Sequence, residues 1–144
     1  MSVAFGFSVG DFIAALELIG TIIDALHATG DSSRRYRGLL RELYPLETAL
    51  REVKRIELHE SQGAEKIALQ LAASQCQLTI DEFWMRIVKY QPYLSNSNGR
   101  ASRVKEAWVK VKWAVFKQEE MDSFRAELRS HTGSIQLLIQ ASQM

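Results

Sequence analysis

Apolar residues crowd the start of the chain and then settle into a repeating three-four spacing. Val3 to Leu26 (VAFGFSVGDFIAALELIGTIIDAL) is the most apolar stretch. At about 100° per residue, Ala14, Ala15, Leu18, Ile19, Ile22, Ile23, Ala25 and Leu26 cover well over half of a helical circumference. Glu17, Thr21, Asp24 and His27 share the rest. The pattern predicts a helix from about Gly10 to Ala28, capped by Ser8 or Asp11, that other helices or lipid must cover. Thr29-Gly30-Asp31-Ser32 reads as a turn followed by an N-cap. A second helix then runs to about Leu58, with Tyr36, Leu39, Leu43, Leu46, Leu50 and Val53 in heptad spacing and a kink expected at Pro45.

His59 to Gly63 forms the next connection, and a third helix from about Ala64 to Tyr90 repeats the seam with Leu69, Ala73, Cys76, Ile80, Phe83, Ile87 and Tyr90. Gln91-Pro92 ends it, and Tyr93 to Arg100 reads as loop. A short helix is expected over residues 101–115, with Val104, Ala107, Trp108, Val111 and Val115 on one face. A fifth, from about Lys117 to Gln140, carries Met121, Phe124, Leu128, His131, Ile135 and Leu138. No strand-like alternation of any length is evident. The expected fold is all-α: one antiparallel four- to five-helix bundle over residues 1–144, the N-terminal domain of a longer protein, with the first helix packed in the core.

The first helix admits two readings, a core helix and one that leaves the bundle to enter a bilayer. Asp11, Glu17 and Asp24 oppose a permanent span, each costing roughly 2.5–3.5 kcal/mol near the bilayer centre. Phe12 to Leu26 would also reach only about 22 Å as a helix, against a hydrocarbon core of about 30 Å. Insertion would need several copies, with the acids turned toward a wet lumen or one another. Both readings hold if the helix is core first and membrane later. Its candidate membrane-engaging residues are Phe5, Phe7, Phe12, Ile13, Leu16, Glu17, Ile19, Ile22 and Ile23. Gly6 and Gly10 have the spacing of a close helix crossing, or serve as a flexible lead-in. Glu17→Lys is expected to impair a core role or a membrane role, because the helix has few exposed positions.

Composition narrows the function classes. At 144 residues, 47% of them hydrophobic, the chain is long enough for a real core, and 24% charged residues with two prolines exclude a disordered or fibrous class. A net charge of +1 gives no global attraction to nucleic acid. One cysteine excludes an internal disulfide and fits a reducing compartment, with the cytoplasm the expected location of the resting form. On its seam, Cys76 reads as a small buried hydrophobe.

No phosphate-cradling glycine loop, HExxH or nucleophile elbow occurs. His27, His59 and His131 lie in different elements, and a His27/His131/Asp24 metal site is geometrically conceivable but poorly supported. No enzyme, metal or cofactor is expected. Between Arg100 and Lys117 six bases face one acid, Glu106. Arg103, Lys110 and Lys117 are spaced by seven and are expected to share a helix face, with Lys112 and Trp113 beside them. This could be a solvated face, a patch for anionic lipid with tryptophan at the interface, or a phosphate-binding surface.

The stretch F-G-F-S-V-G-D-F-I-A (Phe5 to Ala14) resembles the opening of fungal proteins with an N-terminal helical domain. That group comprises domains preceding a nucleotide-binding STAND (NLR-like) or ubiquitin-like module, and HeLo-like cell-death effectors. Tyr36 to Leu50 (YRGLLRELYPLETAL), Lys110 to Trp113 (KVKW) and Phe124 to Leu138 (FRAELRSHTGSIQLL) extend the resemblance over nearly the whole chain. It implies a non-enzymatic signalling or programmed-cell-death domain whose N-terminal helix engages membrane on oligomerisation. The alternative is a protein-binding or oligomerisation adaptor without membrane activity. Partners would then be proteins or further copies of the chain, with anionic membrane in the first reading and no nucleic acid. The chain departs from the group in carrying neither an amyloid-type trigger motif after the bundle nor a second module.

Overall fold

A computed structural model describes residues 9–28, 34–55, 63–94 and 105–142. Four long helices make a bundle: α1 (Val9–Ala28), α2 (Arg34–Arg55), α3 (Gly63–Tyr90) and α5 (Gln118–Ser142), with a five-residue α4 (Lys105–Val109) between the last two. Single 3-10 turns at Pro92–Leu94 and Trp113–Val115 flank α4. There is no strand among the described residues. The chain is an all-α bundle, as its periodicities predict.

The heptad seams account for the core. Leu39, Leu43, Leu46, Leu50 and Val53 of α2 are buried, as are Leu69, Ala73, Cys76, Ile80, Phe83 and Ile87 of α3. The seam of α5 begins as expected with Met121, Phe124 and Leu128, then takes an extra step of four, so that Thr132, Ile135, Ile139 and Ser142 are the buried residues. His131 and Leu138 are left half-covered at its edge. Tyr90 was expected on the α3 seam but is exposed: strict seven-residue steps drift by about 20° each on a straight helix, and Ile87 and Gln91 are the residues buried at this end. Helix α2 continues through Pro45, which lies on its exposed side.

Contacts run α1–α2, α2–α5, α5–α3 and α3–α1, so α2 and α3, like α1 and α5, oppose each other across the core. Successive long helices alternate in direction. His27 pairs with Tyr44 and Gly20 lies beside Glu47, so numbers fall on α1 as they rise on α2. Thr79 meets His131 and Phe83 meets Phe124, the same reversal between α3 and α5. The lateral α2/α5 pair is parallel: Gly38 faces Arg125, whereas Thr48, Ala49 and Glu52 line a groove with Gln136, Ile139 and Gln140.

The expected helix over 101–115 is the main correction. Only Lys105–Val109 is α-helical among its described residues. Beyond it Lys110 and Lys112 are exposed while Val111 and Trp113 are buried, the two-residue period of an extended chain. Lys112 has extended dihedrals (φ −92°, ψ 97°), and Val115, expected on the apolar face, is exposed. The pairing partner of this segment is a side chain. Gln91 Nε2 donates to the Lys112 carbonyl at 3.2 Å, and the Lys112 N–H donates to Gln91 Oε1 at 2.9 Å. One buried amide thus occupies both polar groups of a residue that has no strand beside it. The Tyr93 hydroxyl lies 2.8 Å from the Lys110 carbonyl and 2.9 Å from Gln91 Oε1. Gln91→Leu strands the Lys112 peptide and is expected to cost about 1–3 kcal/mol, read as a lowered Tm with Trp113 more accessible to an aqueous quencher.

Candidate functional site

The element singled out by its composition, α1, sits at one corner of the bundle under α2, α3 and α4. Three covering helices explain why it needs apolar residues on nearly every side. Leu18, Ile19, Ile22, Ile23, Ala25 and Leu26 are buried, Ile13 and Leu16 are half-covered, and Glu17, Asp24 and His27 face outward. Phe5, Phe7, Gly6 and Ser8 lie outside the described residues, as does the Phe12 side chain. Asp11 falls inside the first turn of α1 rather than at its cap. No described helix is long and apolar enough to cross a membrane.

Glu17, being exposed, is a poor lever on stability. The structure revises the expectation for Glu17→Lys: Tm should move by no more than about 0.5 kcal/mol equivalent. Any loss of membrane activity in that variant would then report on function alone.

The cover over α1 is thin. Helix α4 is five residues long and holds on through Trp108, which is buried against Trp84 of α3 with ring centroids 4.7 Å apart. The same segment bears Lys105, Lys110, Lys112 and Lys117, all exposed. They do not share a helix face, since α4 stops at Val109, and Arg100 and Arg103 lie outside the described residues. Trp113 is no interfacial residue: it is 3% exposed and stacks within 6.4 Å of Phe83 and 6.2 Å of Trp108. Lys112 is drawn aside over the Tyr93 ring, 5.3 Å from its centroid. The surviving surface feature is a set of exposed lysines on α4 and along the connection to α5, without a tryptophan anchor.

The nucleophile and ligand candidates separate. Burial pushes the Cys76 thiol up to about 12, so it stays protonated and inert. His27 bonds Tyr44 on the α1/α2 side, whereas His131 Nε2 lies 2.7 Å from Thr79 Oγ1 between α3 and α5. With α1 and α5 on opposite corners, the His27/His131/Asp24 set does not assemble. Among the described residues no group of three or more His, Cys, Asp or Glu side chains could hold a metal ion.

Two features escaped the sequence reading. Glu42 of α2 is buried and takes both guanidiniums of α5: Arg125 Nη2 at 3.1 Å and Arg129 Nη2 at 2.8 Å from Oε2, with Arg129 Nε at 3.3 Å from Oε1. Burial pushes the Glu42 carboxyl up, but the hydrogen bonds from Arg129 and Arg125 outweigh it and hold the carboxyl below its ordinary value. The i, i+4 spacing of Arg125 and Arg129 was visible; their partner was not. The second is an outward apolar stripe on α3. Neither a family model, nor a curated protein, nor a solved structure matches the chain.

Proposed function

We propose that the chain is a non-enzymatic signalling domain that acts by association, sheathing α1 at rest and presenting it to an anionic membrane once copies are brought together. The observation that carries this reading is a helix apolar on nearly all sides, one of whose three covers, α4, is only five residues long. Burial magnitudes show what release requires. Five large side chains (Leu18, Ile19, Ile22, Ile23, Leu26) at about 1.5–3 kcal/mol each amount to the whole stability of an ordinary domain, about 5–15 kcal/mol. Spontaneous exposure is therefore negligible, and release has to be coupled to clustering and to an apolar acceptor. The resemblance of Phe5–Ala14 and the later stretches to fungal HeLo-like and NLR-type N-terminal domains supports the same role.

The test is dye release from anionic vesicles by the chain clustered through an oligomerising tag. Leakage is expected, with a marked reduction when Lys105, Lys110 and Lys117 become Glu at unchanged Tm. No leakage from the clustered chain would reject the membrane step. The remaining reading is then an adaptor that works by protein contacts alone, which the exposed apolar stripe on α3 favours.

A further inference from the structure

Helix α3 has apolar residues on two opposite sides. Its buried seam faces α1 and α5, while Ile67, Leu71, Leu78 and Met85, spaced by four, seven and seven, are 53–67% exposed. At about 100° per residue these four fall within an arc of roughly 40°, diametrically opposite the seam. No described element covers them. Of the outward residues between them, Ser74 and Gln75 are uncharged and exposed, while Glu82 sets an exposed carboxylate at the edge of the stripe. A row of four large apolar side chains along about 27 Å of one helix face is a contact ridge rather than a scatter of surface leucines.

We propose that this stripe is the dimerisation face of the domain, occupied by α3 of a second copy running antiparallel. The proposal rests on the association that both functional readings share and is independent of the membrane step. Charge selects the direction. The near-stripe charges Glu82 and Lys89 both lie in the C-terminal half. A parallel pair would set Glu82 on Glu82 and Lys89 on Lys89 of the other copy. An antiparallel pair moves them to opposite ends of the contact. Leu71 of one copy then lies beside Leu78 of the other near the two-fold axis, with Ile67 and Met85 packing outside them. Size is consistent with a dimer. Four large apolar side chains more than half exposed offer on the order of 400 Å² per copy, about half of what a standard interface buries on each side; Ala64, Ser74, Gln75, Glu82 and Arg86 form the rest of the footprint.

Sedimentation of the full chain across a concentration series is expected to show its mass doubling. Leu71→Glu/Leu78→Glu should restore the monomer with Tm unchanged at high dilution, since both positions are surface residues of the single copy. Single cysteines then read the direction, with buried Cys76 silent. Ser74→Cys, beside the axis, should form a cross-linked dimer under mild oxidation, while Met85→Cys should not, its copies lying roughly 30 Å apart at 1.5 Å per residue. A chain that stays monomeric throughout, a dimer that survives the double substitution, or cross-linking through Met85→Cys would each overturn the proposal. None of these outcomes bears on vesicle leakage, so the two readings fail separately.

Discussion

Phe83→Ala is expected to be the most damaging single substitution in the described chain, at about 3–5 kcal/mol. Phe83 is fully buried at the point where α3, α5 and the 110–116 connection meet. Its ring stacks on Phe124 at 3.8 Å between centroids, on Phe116 at 5.5 Å and on Trp113 at 6.4 Å. Beyond the cavity term, the substitution removes edge and face contacts worth about 0.5–1.5 kcal/mol per aromatic pair. Besides this ring the connection is held by the Gln91 amide, the Tyr93 hydroxyl and the Trp108–Trp113 stack, and Trp108 carries the loss to the cover of α1. All three tryptophans are buried in one chain of contacts from this ring: Trp113 on Phe83, Trp108 on Trp113 and Trp84 on Trp108. Intrinsic fluorescence therefore reports on this end of the bundle alone. The expected result is a Tm lowered by roughly 10–20 °C with red-shifted emission already below the transition. Tyr90→Ala, seven residues on but exposed, should change neither.

The same cluster shows where the sequence was legible and where it was not. Regular three-four spacing reports directly which face of a long helix is covered, and the seams of α2 and α3 follow it almost residue for residue. Helix α1 was legible for the opposite reason: apolar residues on nearly every side mean cover on nearly every side, with Glu17, Asp24 and His27 marking the open strip. Trp113 was misplaced because Ala107, Trp108 and Val111 fit a helical face, and the residues after them were read with the same period. The alternation Lys110-Val111-Lys112-Trp113 carried the contrary signal. It was too short to stand out, and its partner is a glutamine side chain with no sequence signature. The outward stripe of α3 was present in the spacing of Leu71, Leu78 and Met85 but was eclipsed by the stronger buried seam. Contacts between α2 and α5 were not legible at all. They depend on which helices become neighbours, and the spacing along one helix does not encode that.

Replacing Glu42 is expected to have the second largest effect, and its sign depends on what is removed with it. Glu42→Ala leaves the Arg125 guanidinium, 25% exposed, without its counter-charge, while Arg129, 65% exposed, simply returns to water. The cost should therefore lie below that of a fully buried broken pair, at about 2–3 kcal/mol. Replacing Arg125 as well, as in Glu42→Leu/Arg125→Leu, should recover most of it, since two apolar side chains can fill the α2/α5 interface without any buried charge. A double-mutant cycle measured by denaturant unfolding checks this; an additive double variant would show that the two residues do not act as a pair.

Acid titration separates the same contribution from that of His131. Burial lowers the affinity of His131 for its proton, an effect that Glu127 only partly offsets. A group whose folded value is depressed stabilises above its unfolded value and stops doing so as pH falls through the folded one. His131 should therefore give a first loss of stability below the ordinary histidine range, and Glu42 a second below the ordinary carboxylate range. His131→Gln is expected to remove the first step and leave the second, and Glu42→Gln the reverse. If Glu42→Gln left the acid limb of the unfolding curve unchanged, the two arginines would be surface charges with no hold on the parallel pairing of α2 and α5.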